Sequence, residues 1–284
     1  MLLLQTCAHA IAAGMMSDPA DREILHQLEA LALSAGRRIM EICREGFVAD
    51  SKEDDSPVTR ADREAETIIL SGLRARFPDI TIVAEEEVSA GARPQVDGAP
   101  FFLVDPLDGT REFVAGKDDF TVNIALIREG MPVAGVVYAP ARHALYSGAS
   151  GVAERMVTDD MHRPLDRKPI TARSPAHPLL IVASRSHRTE ETDRFIAAQA
   201  AFECVSVGSS LKFCLLASGE ADLYPRMGRT MQWDTAAGDA VLRAAGGSTI
   251  TLDGEPFVYG PGTAPDDETF ANPHFIARGL SAEA

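Results

Sequence analysis

Four apolar residues, Phe101-Phe102-Leu103-Val104, run straight into Asp105-Pro106-Leu107-Asp108-Gly109-Thr110. The apolar run reads as a buried strand, and the Pro, Asp and Gly behind it punctuate a turn. Any fold of this chain must therefore place two carboxylates where a core strand opens. Neither can stay in an apolar interior without a partner. Carboxylate oxygens suit hard cations such as Mg²⁺, whose sites combine a few acids with substrate phosphates. Gly109 lets backbone N–H groups approach an anion closely, and Thr110 adds a hydroxyl beside it. Taken alone, the string reads equally well as an Asp-rich surface turn.

The chain has 284 residues, enough for one large domain or two lobes. Its net charge of −15 argues against nucleic acid or an anionic membrane surface as a partner. A small anionic substrate would need local help from cations, metal or backbone amides. Cys7, Cys43, Cys204 and Cys214 show no metal-finger or C-x-x-C spacing and read as reduced thiols of an intracellular protein. No apolar run is long enough for a membrane span. Residues 1–18 read as a flexible extension, or in part as sequence upstream of a start at Met15 or Met16. A secretory signal is the alternative, weakened by the lack of a basic start.

Ser17-Asp18-Pro19 is a helix start, and Ile24, Leu28, Leu31, Ala35 and Ile39 recur at helical spacing behind it. A charged hairpin or loop precedes a second helix from about Ala61, so Asp62 falls in a first helical turn. Acids there complement the macrodipole whether or not they do chemistry. A short strand over 81–84 runs into Glu85-Glu86-Glu87, which reads as a solvated edge unless a cation sits nearby. Residues 111–119 read as a polar loop, and 121–127 and 132–138 as antiparallel strands. Residues 151–168 read as a loop or irregular hairpin. Beyond them strands at 179–183, 204–207, 221–224 and 248–251 alternate with helices at 189–198, 209–218 and 233–245. That alternation predicts a more parallel sheet. Asp234 opens the last helix, where a carboxylate can be only a cap. Asp239, one turn on, reads as structural or solvent-facing.

If the ends bearing Glu85, Asp105, Asp108 and Asp234 converge, they form an acidic pocket that only cations can neutralise. Mg²⁺ there would polarise a phosphoryl group and activate water. There is no G-x-S-x-G elbow, no P-loop and no H-E-x-x-H spacing to compete.

Asp105-Pro106-Leu107-Asp108-Gly109-Thr110 and Trp233-Asp234-Thr235-Ala236-Ala237-Gly238 resemble the two signature motifs of the inositol monophosphatase superfamily of Mg²⁺-dependent phosphatases, in the same order and separation. Ser56-Pro57-Val58-Thr59, Ala61-Asp62, Glu85-Glu86 and the stretch from Phe120 to Leu126 extend the likeness. Within the superfamily the chain most resembles the bacterial 3′(2′),5′-bisphosphate nucleotidases. The features are Arg111-Glu112-Phe113, Ser184-Arg185-Ser186-His187, Ser209-Ser210-Leu211-Lys212-Phe213-Cys214 and Asp222-Leu223-Tyr224-Pro225-Arg226. Arg229 stands where that branch often has Pro, and Gln232 where it often has Glu.

The resemblance implies an α+β fold, the layered α-β-α-β-α sandwich of the sugar-phosphatase type. The first lobe, 19–150, would hold an antiparallel sheet and the metal site. The second, 151–284, would be more parallel and hold the substrate pocket. It implies two or three Mg²⁺ ions on Glu85, Asp105, Asp108, Asp234 and the Leu107 carbonyl. Thr110, oriented by Asp62, would help activate the attacking water, and Glu85 would position a water. Backbone N–H groups of Gly109 and Thr110 would hold the phosphate, Lys212 and Arg226 would take the substrate's second phosphate, and Ser184 would lie near the nucleotide pocket. The implied substrate is adenosine 3′,5′-bisphosphate, converted to AMP and phosphate by a cytoplasmic monomer or homodimer, with peripheral inner-membrane association known among relatives. An inositol or sugar monophosphatase is the nearest rival. A non-catalytic binding protein is the rival of a different class, opposed by the joint presence of Asp62, Glu85, Asp105, Asp108, Thr110 and Asp234.

Overall fold

The computed structural model describes residues 19–51, 57–262 and 269–281. The extension predicted over 1–18 lies outside them, with Cys7 and most of the Ser17-Asp18-Pro19 helix start. So do the charged residues 52–56.

Helix α1, Pro19–Glu45, buries Leu28, Ala32, Ala35, Ile39 and Ile42 along one face. Strands β1, Ala49–Ser51, and β2, Pro57–Thr59, form a small hairpin. Helix α2, Arg60–Arg76, starts from a reciprocal cap. Thr59 Oγ1 accepts from Ala61 N at 3.0 Å, and Thr59 N donates to Asp62 Oδ2 at 2.7 Å. Each bond satisfies an amide that the first helical turn would otherwise leave orphaned.

Strand β3, Thr81–Ala84, leads into a short helix α3, Glu85–Ser89. The three glutamates thus open a helix rather than trail off a strand. Strand β4, Phe101–Asp108, continues through Pro106 to Asp108, further than the turn signals predict. Its ladder with the next strand is irregular between Asp105 and Asp108, so the pairing tolerates a residue that lacks an amide hydrogen. Helix α4, Thr110–Val114, replaces the first part of the predicted polar loop. Strands β5, Thr121–Arg128; β6, Met131–Ala139; β7, Ala144–Ala149; β8, Val152–Thr158; and β9, Pro164–Ile170, then meander.

The seven-stranded sheet runs β3-β4-β5-β6-β7-β8-β9, with only β3–β4 parallel. The stretch expected to be irregular is two regular strands. They read as a loop because β9 is a mostly exposed edge strand rich in Asp, Arg, Lys and Pro. The sheet extends to Ile170, so a division of the chain at residue 150 falls within the β7–β8 hairpin.

The second sheet contains β10, Leu179–Ser184; β11, Phe202–Val207; β12, Leu223–Arg226; β13, Ser248–Thr251; and β14, Phe275–Arg278. Its order is β11-β10-β12-β14-β13. The β10 pairings are parallel and those of β14 antiparallel, so the predicted parallel character holds for half of it. Helices α5, Glu190–Ala197; α6, Leu211–Ala217; and α7, Ala236–Ala244, complete the molecule. A 3₁₀ turn, Gln232–Asp234, introduces α7.

The pleat sorts the core. Phe102, Val104, Ile124 and Leu126 face α1 and α2, whereas Phe101, Leu103, Ala125 and Ile127 face α6 and α7. Beyond those helices, Phe275 and Ala277 bring the five-stranded sheet onto the same core. Ile196 of α5 covers its outer face at Ile181 and Ala183. The layers are therefore α-β-α-β-α. Helix α7 lies flush on the first sheet. A Cβ at Gly135 would come within 2.6 Å of the Ala237 carbonyl oxygen, and one at Gly148 within 2.8 Å of Val241 Cα. This close approach brings Asp234 to the end of β4. Among the described residues no helix is long and apolar enough to cross a membrane.

Candidate active site

Asp62 is buried and uses both carboxylate oxygens. Oδ2 accepts from Thr59 N and Thr59 Oγ1, each at 2.7 Å. Oδ1 is left for Thr110 Oγ1, 3.0 Å away across the gap between α2 and α4. Thr110 Oγ1 also lies 3.0 Å from the Leu107 carbonyl oxygen. Burial pushes the Asp62 carboxyl up from its ordinary value, opposed by the Thr59 and Thr110 hydrogen bonds. Gly109 makes this arrangement possible: its φ is +92°, and a Cβ there would stand 2.9 Å from the Asp119 carbonyl oxygen.

The acidic residues meet around the end of β4. Asp105 accepts from Leu107 N at 2.9 Å through Oδ1 and is within hydrogen-bonding reach of Glu85. Burial, then the charges of Glu85, Asp108 and Asp234, push its carboxyl well above the usual range. Asp108 is raised mainly by burial, against the pull of Lys212. Asp234 is pushed up to about 8 by burial and by Asp108 and Glu85. Its Oδ2 accepts from Met231 N at 2.8 Å, so it does cap its own turn, as its position allows, while also facing the cluster.

Among the described residues no three Asp, Glu, His or Cys side chains converge as a ready-made metal cage. Asp105, Asp108 and Asp234 accept from Leu107 N, Ser210 Oγ and Met231 N. The donor chemistry still fits Mg²⁺: four carboxylates and the Leu107 carbonyl offer only hard oxygens. The upward shifts of the Asp105, Asp108 and Asp234 carboxyls mark an excess of negative charge that a divalent cation would relieve.

Asn123 and Ser210 join the two motifs, and sequence reasoning did not single out either as a site residue. Ser210 Oγ accepts from Asn123 Nδ2 at 2.9 Å. It lies 3.0 Å from Asp108 Oδ2 and 2.5 Å from the Asp234 carbonyl oxygen. The available signal was Asn123 as a polar residue inside an otherwise apolar strand.

A cavity of about 360 Å³ opens beside this cluster. Glu85, Asp108, Gly109, Thr110 and Asp234 line one side, and Ser184, Lys212 and Arg226 lie toward the other. Lys212 is buried, and Nζ donates to the Val207 and Ser209 carbonyls. Burial pulls its ammonium down to about 8. Arg226 is also buried: it donates to the carbonyls of Gly228 at 3.2 Å, His187 at 3.4 Å and Arg229 at 2.6 Å. Ser184 Oγ accepts from His187 N at 3.1 Å. All three predicted residues reach the cavity while also bracing its loops. Asp239, by contrast, is fully buried and holds Thr249, Tyr259 and Arg243, so it is structural rather than solvent-facing. Cys43, Cys204 and Cys214 are free thiols.

Comparison with known proteins agrees with this geometry. The model of the inositol monophosphatase family matches residues 20–272. The 3′(2′),5′-bisphosphate nucleotidase CysQ of Escherichia coli K12 is 44% identical over 254 residues, covering 89% of this chain and 98% of the relative. The crystal structure of CysQ from Bacteroides thetaiotaomicron superposes with a TM-score of 0.70 at 36% identity, over 89% of this chain and 97% of that one. An inositol monophosphatase from Anabaena, at 24% identity and a TM-score of 0.68, shares the fold over 91% of each chain. The sequence motifs, the layered fold and the convergence of Asp62, Thr110 and the acidic cluster thus have one common explanation: the chain belongs to the inositol monophosphatase family.

Proposed function

We propose that this protein is a Mg²⁺-dependent 3′(2′),5′-bisphosphate nucleotidase that removes the 3′-phosphate of adenosine 3′,5′-bisphosphate, giving AMP and phosphate. The observation that carries the reading is the Asp62–Thr110 hydrogen bond, set against a buried acidic cluster at the floor of a nucleotide-sized cavity. The identity with CysQ over nearly its whole length supports the substrate class. In a cell, this activity clears a by-product of sulfate assimilation. A cytoplasmic setting belongs to the same reading, with Cys43, Cys204 and Cys214 as free thiols.

Glu85, Asp105, Asp108, Asp234 and the Leu107 carbonyl would hold two or three Mg²⁺ ions. When bound, the metal would neutralise the cluster, polarise the phosphoryl group and make water more acidic. The chain's own residues supply position. Asp62, saturated at Oδ2 by Thr59, accepts the hydrogen bond of the Thr110 hydroxyl at Oδ1. A Thr110 hydroxyl committed in that direction turns its lone pairs toward the cavity, where they accept from the attacking water. Glu85 orients a second hydrogen of the water layer. The N–H groups of Gly109 and Thr110 hold phosphate oxygens during in-line displacement of the nucleoside oxygen. Lys212 and Arg226 contribute positive potential from behind the loops they brace, and Ser184 shapes the nucleoside end.

The test is Mg²⁺-dependent phosphate release from adenosine 3′,5′-bisphosphate and inositol 1-phosphate at equal concentration. The account expects the nucleotide to be preferred by about a hundredfold, roughly 2.7 kcal/mol of discrimination. A preference for inositol 1-phosphate would replace the substrate and leave the metal site standing.

A further inference from the structure

The cations around the cavity fall into two groups. Lys212 and Arg226 are buried and turned onto backbone carbonyls. Arg185 and Arg188, on the adjoining loop, are paired with Asp119 and Asp193. Arg111 and Arg229 differ from all four. Both line the cavity and are exposed, and neither side chain has a hydrogen-bonding or ionic partner among the described residues.

The backbone carrying Arg229 is fixed from several directions. Arg226 grips the Gly228 and Arg229 carbonyls. Thr189 Oγ1 donates to Met227 O at 3.0 Å, and Met227 N donates to Thr192 Oγ1 at 3.2 Å. On the other side, Asn272 N donates to Thr230 O at 2.9 Å, and Asn272 Nδ2 donates to Thr230 Oγ1 at 2.9 Å. Met227 and Thr230 are buried, so the loop is anchored on both sides of one exposed guanidinium. Arg111 is likewise rooted, in the first turn of α4 directly after Thr110. In a chain of net charge −15, cations held at a cavity mouth without an acidic partner favour an anionic ligand. The arginine fork suits a phosphate in particular, because it can donate two parallel hydrogen bonds.

We infer that Arg229, assisted by Arg111, holds the phosphate that is not cleaved, and so strengthens this chain's preference for a bisphosphate over a monophosphate. The inference rests on the nucleotidase reading above. Arg226 then acts as a positioning residue, holding the Arg229 loop at the cavity mouth. Arg229 is a specificity residue of this chain, at a position where the resemblance leads one to expect Pro, which has no side-chain donor.

The experiment compares kcat and KM for adenosine 3′,5′-bisphosphate and adenosine 3′-monophosphate in the Mg²⁺-loaded wild type, Arg229→Ala and Arg229→Lys. Arg229→Ala is expected to raise KM for the bisphosphate by about tenfold or more, the weight of a hydrogen bond to a charged group. Its kcat should stay close to wild type, and the monophosphate should be handled as before within about twofold. Arg229→Lys, which keeps the charge but loses the fork, should fall between the two. Equal losses on both substrates, or no loss on either, would overturn the inference while the wild-type preference stands. A wild type that does not prefer the bisphosphate would overturn the nucleotidase reading itself, and this inference with it.

Discussion

Thr110 has one proton and two acceptors, Asp62 Oδ1 and the Leu107 carbonyl, each 3.0 Å away. Which one it serves decides where its lone pairs point. A cation drawing on the Leu107 carbonyl would leave Asp62 as the acceptor. Thr110→Ala removes the hydroxyl without disturbing the Asp62–Thr59 cap. It is expected to lower kcat by about 10²–10⁴, the range of a positioned proton-transfer group, and to leave KM nearly unchanged. Single-turnover phosphate release with the bisphosphate is the check, and a change in KM alone would assign Thr110 to binding. Asp62, Asp105, Asp108 and Asp234 were legible as turn and helix-start carboxylates, while their roles came only from the resemblance. Asn123 and Ser210 were not, since a lone amide and a lone hydroxyl carry no spacing signal. Lys212 and Arg226 were legible as cations, but only packing shows that backbone carbonyls take up their donors.

At the scale of elements, the joints between helices and sheets rest on buried polar ties. Arg167 on β9 donates to both oxygens of Glu29 on α1, at 3.0 and 2.6 Å, and Ser147 on β7 adds a third donor at 2.7 Å. Gln232 forms a two-way pair with Gly260, donating at 2.7 Å and accepting at 2.8 Å. A glutamate at 232 could accept but not donate, which accounts for the amide found there. Glu66 on α2 accepts from Glu86 N at 2.9 Å and so joins α2 to α3. Burial pushes its carboxyl up to about 7. The unfolded chain therefore ionises at Glu66 before the folded one does. The stability from this group is complete below its ordinary value near 4.5 and is lost as pH rises toward 7. Glu66→Gln keeps the acceptor and removes the titration. Urea denaturation should show the variant gaining on wild type between pH 5 and pH 8, by about 1–2 kcal/mol after solvent screening. A constant difference across that range would contradict the assignment. Strands with apolar alternation were legible throughout. Strand β9 escaped because an edge strand exposes charged residues, and β8 because Glu154 and Arg155 interrupt its apolar pattern; β14 was not read from the sequence.

At the scale of the molecule, two sheets enclose a shared helical layer, and the candidate site lies where the end of β4 and the start of α2 in one half meet the start of α7 and the α6 loop in the other. The two signature strings lie far apart in sequence, so their convergence was legible only through the resemblance. A protein of net charge −15 repels a bisphosphate at long range. On the proposed reading, capture therefore depends on local positive charge, from Mg²⁺ held by the acidic cluster and from the cations at the cavity. Asp108 is central to that balance, next to Lys212 and Ser210 and facing Asp234. The most direct measurement is the initial rate of phosphate release from adenosine 3′,5′-bisphosphate as Mg²⁺ is titrated, for wild type and Asp108→Asn. The account predicts a wild type inactive without the metal and saturable with it. It predicts a variant that stays folded by circular dichroism and is slower by roughly a hundredfold or more. Wild-type turnover undiminished by chelation, or an Asp108→Asn variant as fast as wild type, would contradict it.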